Sequence, residues 1–182
     1  MKRAQRREAL VEAAGRAFAR DGFAGTSLED VAAEAGVARD TIYRNFDTKA
    51  DLYRAVLERI RQQLADAVGG EIREDAIHRM VEVARRNPGG YRLMFHHAVR
   101  EPEFRDMVDQ RRDLAAGKAE ARFRQAVPDD ARRAWAAHLV PTLIVEAIIA
   151  WLDADCPDPD TAADTIRQMV RGVLTALRDR PS

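Results

Sequence analysis

Residues 31–46 read VAAEAGVARDTIYRNF, and three of them constrain the fold more than anything else in the chain: Ala32, Gly36 and Ile42. Two short helices joined by a tight turn need a small residue where they cross. They need a turn residue able to leave the right-handed helical region, and a branched apolar residue pointing inward from the second helix. Ala32 meets the first need, Gly36 the second at no steric cost, and Ile42 the third. Val31, Ala35 and Val37 fill the remaining contacts. Ala-x3-Gly-x5-Ile is therefore the packing skeleton of a helix-turn-helix.

An ordinary helical hairpin that uses Gly36 as a C-cap has the same skeleton. The residues beyond it separate the two. Tyr43 follows the inward Ile42 by one position, so it points toward solvent, and Arg39, Asp40, Arg44 and Asn45 share that outer face with Thr41 near its rim. An exposed tyrosine beside arginine has no packing reason to be there, whereas a major groove entered N-terminus first gives it one. These side chains can donate to phosphates or read base edges. Ser27 and Lys49 fall at helix N-termini, which suit phosphate oxygens.

The same helical period runs through the rest of the chain, and strand-like alternation is absent. Residues 3–20 place Leu10, Ala14, Ala17 and Phe18 on one stripe, and Asp21-Gly22 supplies a stop. Thr26 or Ser27 caps the next helix, with Glu29 and Asp30 in its first turn. A third helix is predicted from Ala38 to Phe46, and Asp47 or Thr48 caps a fourth that carries Leu52, Val56, Leu57, Ile60 and Leu64. VGGE at 68–71 is the best hinge. Beyond it, NPGG at 87–90, Glu101-Pro102, VPDD at 127–130 and DADCPDPD at 153–160 punctuate the chain. The expected fold is all-α with about nine helices: a helix-turn-helix domain over 1–66 and a larger helical domain over 67–182.

Net charge does not favour or exclude nucleic acid, because 30 basic residues balance 30 acidic ones. Lys2, Arg3, Arg6 and Arg7 form a local basic run that could equally be a solvated terminus. The single Cys156 excludes an intramolecular disulfide framework and points to a reducing cytoplasm. The N-terminus lacks the apolar core of a secretory signal. The most apolar stretch, Leu139 to Leu152, contains Pro141 and Glu146 and reads as too short to span a bilayer, so no membrane partner is expected.

Residues 3–52 resemble the DNA-binding domain of the tetracycline-repressor (TetR) family of bacterial transcription regulators. The segments AFARDGFAGTSLEDVAAEAGV and TIYRNF, followed by Lys49 and Leu52, carry the likeness. It implies that Arg39 and Asp40 face bases, and that Ser27, Thr41, Tyr43, Asn45 and Lys49 hold the phosphate backbone. The basic run ahead of the first helix would approach the backbone or minor groove. Asp40 stands where a small residue is frequent in that family, and Asn45 where histidine or tyrosine is usual. Operator preference therefore cannot be borrowed from relatives.

In the C-terminal half, Ala162, Ile166, Met169, Val170, Val173, Leu174 and Leu177 repeat at three- and four-residue spacing. With Ile144, Ile148 and Trp151 of the preceding apolar segment they form a candidate homodimer seam, the four-helix bundle the resemblance also implies. A monomer could bury the same faces internally. Tyr91, Met94, Phe95, His97 and Trp135 are candidates for a small-molecule effector site, apolar bodies with a few polar tips, or equally for core packing. Adjacent His96 and His97 project about 100° apart on a helix and cannot easily share one ion, and Glu74 with His78 reads as a surface pair. No metal, cofactor or catalytic constellation is expected. The expected function is a dimeric regulator that binds a partly palindromic double-stranded DNA operator and is released as a repressor by a small effector. An activator, a partner-controlled regulator, and a carrier or enzyme with a vestigial module are the alternatives.

Overall fold

The computed structural model describes residues 3–68 and 75–178, and among these every regular element is helical. The chain runs α1 (Arg3–Gly25), α2 (Leu28–Ala35), α3 (Arg39–Tyr43), α4 (Lys49–Val68), α5 (Ala76–Arg86), α6 (Pro88–Arg92), α7 (Arg105–Phe123), α8 (Asp130–Asp153) and α9 (Ala162–Arg178). A π-helical turn at Leu93–His97 and two 3₁₀ turns join α6 to α7. The hinge expected at 68–71 lies almost wholly outside the described residues, as does Glu74.

The chain divides into two compact units. The first comprises Met1–Leu64 with Asn87–Pro102, the second Ala65–Arg86 with Glu103–Ser182. A single boundary at 66/67 puts residues 87–102 with the C-terminal half; by packing they cluster with the N-terminal unit. Gly89 shows why they fit there. A Cβ at this position would lie 2.9 Å from the Cβ of Ala19, so only glycine lets α6 approach α1 this closely.

In the first unit α1 buries Leu10, Ala14, Ala17 and Phe18, α2 buries Val31 and Ala32, α3 Ile42, and α4 Leu52, Tyr53, Val56 and Leu57, with α1 packed on α2 and α2 on α3. The Tyr53 ring meets Phe18 edge-on at 4.9 Å, and burial, then Glu101, pushes its phenol pKa up. The helical trace of α1 extends to Gly25, with a break at Gly22 (φ 73°, ψ 176°), the expected stop. Thr26 is fully buried, its hydroxyl donating to the Gly22 carbonyl at 2.7 Å, which leaves Ser27 to cap α2. The Ser27 hydroxyl accepts from the Asp30 N–H at 3.1 Å, and the Asp30 carboxylate accepts from the Ser27 N–H at 2.8 Å, a complete capping box. Gly36 ends α2 in the left-handed conformation (φ 64°, ψ 36°). Thr48, not Asp47, caps α4 by accepting from the Asp51 N–H at 3.0 Å. The third helix is shorter than the span Ala38–Phe46 read from sequence, because residues 44 and 45 form a turn that closes it.

In the second unit α8 packs against α7, α9 and α5. Buried Ala116, Ala119, Ala136 and Ala137 allow close helix approach, and Ile148, Ile149, Ile166 and Val170 fill the wider gaps. At the far end Val127, Ala136 and Leu177 form a cluster under Phe123, Val173 and Leu174. The 24-residue α8 contains an 18-residue window of mean hydropathy 1.6, so by length and composition alone it is long and apolar enough to cross a membrane, contrary to the shorter stretch Leu139–Leu152. Only 39% of that window is buried within the chain. Pro141 sits in the interior of α8 rather than at its start.

The residues expected at the dimer seam differ in burial. Ile148, Trp151, Ile166, Val170 and Leu177 are already buried within the single chain, and the Trp151 indole N–H donates to the Pro157 carbonyl at 2.8 Å. An apolar stripe records that a face is covered without recording whose chain covers it. Met169 is 48% exposed, and Ile144, Val173 and Leu174 are half-buried.

Nothing lies within 4 Å of a Cβ placed on Gly36, so alanine there costs only backbone strain. We expect Gly36→Ala to lower unfolding stability by about 1–2 kcal/mol, and Gly36→Asn by less. Urea denaturation with an unchanged m-value checks this.

Candidate nucleic-acid interface

The site is built on an unusually short element. Helix α3 has five residues, too few to be stable by itself. It is pinned by Ile42, which is fully buried, and by Phe46 just beyond it. Burying one such isoleucine contributes about 1.5–3 kcal/mol. Pinning Ile42 inward forces Arg39, Asp40, Tyr43 and Arg44 outward, and all four are exposed. The Asn45 side-chain amide donates to the Thr41 carbonyl at 2.7 Å and closes the C-terminal end.

The outward side chains are ordered among themselves. The Arg39 guanidinium donates to the Tyr43 hydroxyl at 2.8 Å and stacks over its ring at 5.2 Å. The same group makes an ion pair at 2.6 Å with Glu29 in the first turn of α2. The Tyr43 hydroxyl, with the Glu29 carboxylate, pushes the pKa of Arg39 above the ordinary arginine value. Arg6, Thr41, Arg44 and Asn45 line a cleft beside this face, and Arg7 stacks over Phe46 at 4.8 Å. A basic rim from α1 thus adjoins the exposed face of α3. Of the N-terminal basic run, Lys2 lies outside the described residues.

Two of the expected phosphate contacts have other partners here. The Ser27 hydroxyl donates to the Asp30 carboxylate at 2.6 Å, and its hydroxyl and N–H hold the Asp30 carboxyl below the usual carboxylate range. The Lys49 ammonium donates to the carbonyls of Phe23 and Thr26 at 2.8 and 3.0 Å and lies over the Phe23 ring at 4.5 Å. Lys49 therefore fastens the start of α4 to the α1–α2 turn. Sequence reasoning passed over both this clamp and Glu29. Lysine followed by Ala50-Asp51 reads as an exposed helix start, and Glu29 as a dipole-favoured first-turn acid.

The effector candidates do not come together within one unit. Tyr91 and Met94 are buried, Phe95 and His97 half-buried, all in residues 87–102 of the first unit. The Tyr91 and Phe95 rings meet at 4.7 Å between centroids, tilted by 50°. Burial, then Arg100 and His96, pushes the His97 pKa down. Trp135 belongs to the second unit and is 61% exposed.

If Lys49 is a clamp, its loss should cost stability in the absence of any ligand. We expect Lys49→Met, which keeps the stem and removes the donors, to destabilise the fold by roughly 1–2 kcal/mol, a fall in Tm of a few degrees by calorimetry. An unchanged Tm would assign Lys49 to ligand contact alone.

Residues 10–56 match the family described as bacterial regulatory proteins, tetR family. Over almost the whole chain the protein is 27% identical to the HTH-type transcriptional activator FasR of Mycolicibacterium smegmatis, across 95% of this chain and 84% of the relative. It is 45% identical to the HTH-type transcriptional regulator TtgR of Pseudomonas putida, over 31% of this chain and 27% of the relative. Among solved structures, a transcriptional regulator from Aquifex aeolicus superposes with a TM-score of 0.75 at 15% identity, covering 92% of this chain and 99% of that one. A tetR-family regulator from Streptomyces coelicolor gives 0.73 at 23% identity, covering 98% and 83%. The match across α1–α4 and the whole-chain likeness to transcriptional regulators lead to one conclusion: residues 10–56 form a DNA-binding module like that of the tetR-family bacterial regulatory proteins, and the chain is a DNA-binding transcriptional regulator.

Proposed function

We propose that the protein acts in the cytoplasm as a homodimeric repressor that reads a partly palindromic operator and is released from it by a small apolar or amphipathic effector. The observation that carries this reading is the exposed, internally ordered face Arg39–Asp40–Tyr43–Arg44 on a helix with no packing use for it. One such helix contributes little affinity, and a two-fold pair placed about 34–36 Å apart reaches successive major grooves. Met169, Ile144, Val173 and Leu174, together with the poorly buried apolar window of α8, support α8 and α9 as the dimer surface.

Residues 87–102 support α6 and the π-helical turn as the place where an effector acts. They follow α5 and precede α7 in the chain, yet pack with the DNA-reading unit. An effector that binds differently to two arrangements of this segment shifts DNA affinity by that difference. Phe95 and His97 are its accessible aromatic and polar groups. The likeness to FasR, whose name is that of an activator, favours activation as the second reading. The module and operator would be the same in both cases.

Selection of the full chain against random duplex DNA at physiological salt tests this reading, with an inverted repeat as the expected product. Arg39→Ala should lose discrimination at one base position per half-site, and Tyr43→Ala should lose affinity evenly across sequences. Recovery of no enriched sequence by folded protein would overturn the DNA-reading assignment. We expect Met169→Arg to leave the folded chain's helical signal intact while shifting its sedimentation from dimer toward monomer.

A further inference from the structure

The ion pair between Glu29 and Arg39 joins two helices at the point where the reading face begins, and operator binding by α3 alone leaves it without a role. We propose that Glu29 is a positioning residue for specificity: with the Tyr43 hydroxyl it holds the Arg39 guanidinium as a fixed two-pronged donor that reads a guanine of a G·C pair in each half-site. This rests on α3 being the recognition helix.

The geometry points to a base rather than to phosphate. Arg39 is the first residue of α3, the end of a recognition helix that meets base edges. One terminal nitrogen of its guanidinium faces the Glu29 carboxylate at 2.6 Å, and the other donates to the Tyr43 hydroxyl at 2.8 Å. Guanidinium carries five N–H donors in a rigid plane, so each terminal nitrogen keeps a second hydrogen for an acceptor pair. In the major groove that pair is O6 and N7 of guanine, the geometry arginine matches bidentately. A loose arginine would lose its rotamer freedom on docking, whereas one fixed from two sides has already lost it. Glu29 also repels phosphate oxygens and lowers the net pull of the backbone on Arg39. The neighbouring Asp40 is exposed on the same helix, and a carboxylate there accepts from a cytosine amino group. An arginine followed by an aspartate thus carries the two chemistries that G·C and C·G pairs present.

The bland alternative is a surface ion pair that ties α2 to α3 and reads nothing; exposed pairs of this kind contribute little to stability. Binding of the full chain to the selected operator, and to a set with each base pair replaced in turn, separates the two. The proteins compared are the wild type, Glu29→Gln and Arg39→Ala, each checked for fold by thermal unfolding. The wild type should prefer G·C at one position per half-site by roughly 5- to 150-fold. In Glu29→Gln that preference should fall several-fold while the other positions keep theirs. Its affinity for non-specific DNA should rise, because a negative charge is gone. An unchanged base profile in Glu29→Gln, with the G·C preference lost in Arg39→Ala, would make Glu29 a bystander and leave the recognition-helix reading intact. A G·C preference that survives Arg39→Ala would remove the arginine itself from the site, and the inference with it. A wild type with no base preference at any position would overturn the recognition-helix reading itself.

Discussion

A five-residue helix cannot hold itself together in water, and the proposed reading of DNA depends on one that does. The burial of Ile42, on a helix that packs against α2, supplies what α3 lacks. Because successive helical side chains point about 100° apart, fixing Ile42 inward also fixes which residues face out. The outward direction of Arg39, Asp40, Tyr43 and Arg44 follows from the packing of a residue that never meets DNA. The left-handed turn at Gly36, the Ser27–Asp30 capping box and the Lys49 clamp all serve the same end. The first two end and start the eight-residue α2, and the clamp fastens the start of α4 to the turn ahead of α2.

Around this anchor the charges are paired in a way that separates stability from reading. Arg16 and Arg20 of α1 reach the same Glu34 of α2, exposed pairs that contribute little individually. On the reading face the pairing instead constrains direction: Arg39 is held from one side by a carboxylate and from the other by a phenol. A side chain fixed before it meets its partner binds with less entropy to lose, and with less tolerance for the wrong acceptor.

The first unit was legible in the sequence to a large extent. Ala32, Gly36 and Ile42 predict the turn and the crossing, and the glycine φ and the burial of Ile42 agree. Less legible was what polar side chains do once the backbone is in place. Lys49 reads as a phosphate contact at a helix start, but its nearest acceptors are carbonyls from residues 23 and 26, which only folding brings near. Glu29 reads as a dipole-compensating acid, and its partner lies across the turn. The C-terminal half was less legible still. Its stripe on α9 is real, yet Ile166, Val170 and Leu177 are spent inside the chain, and Trp151 closes the loop after α8.

Sequence alone determined the helical class, the turn at Gly36, which side chains of α3 face outward and the family likeness. These depend on spacing along one chain, and helical spacing is set by local geometry. Tertiary structure decided that residues 87–102 belong with the N-terminal unit, where Gly89 meets Ala19. It decided that Ile148, Trp151, Ile166, Val170 and Leu177 are buried within the chain, and that Arg39 is held by Glu29. Those are contacts between residues far apart in sequence. Periodicity tells a helix which face to bury and carries no information about the neighbour that buries it.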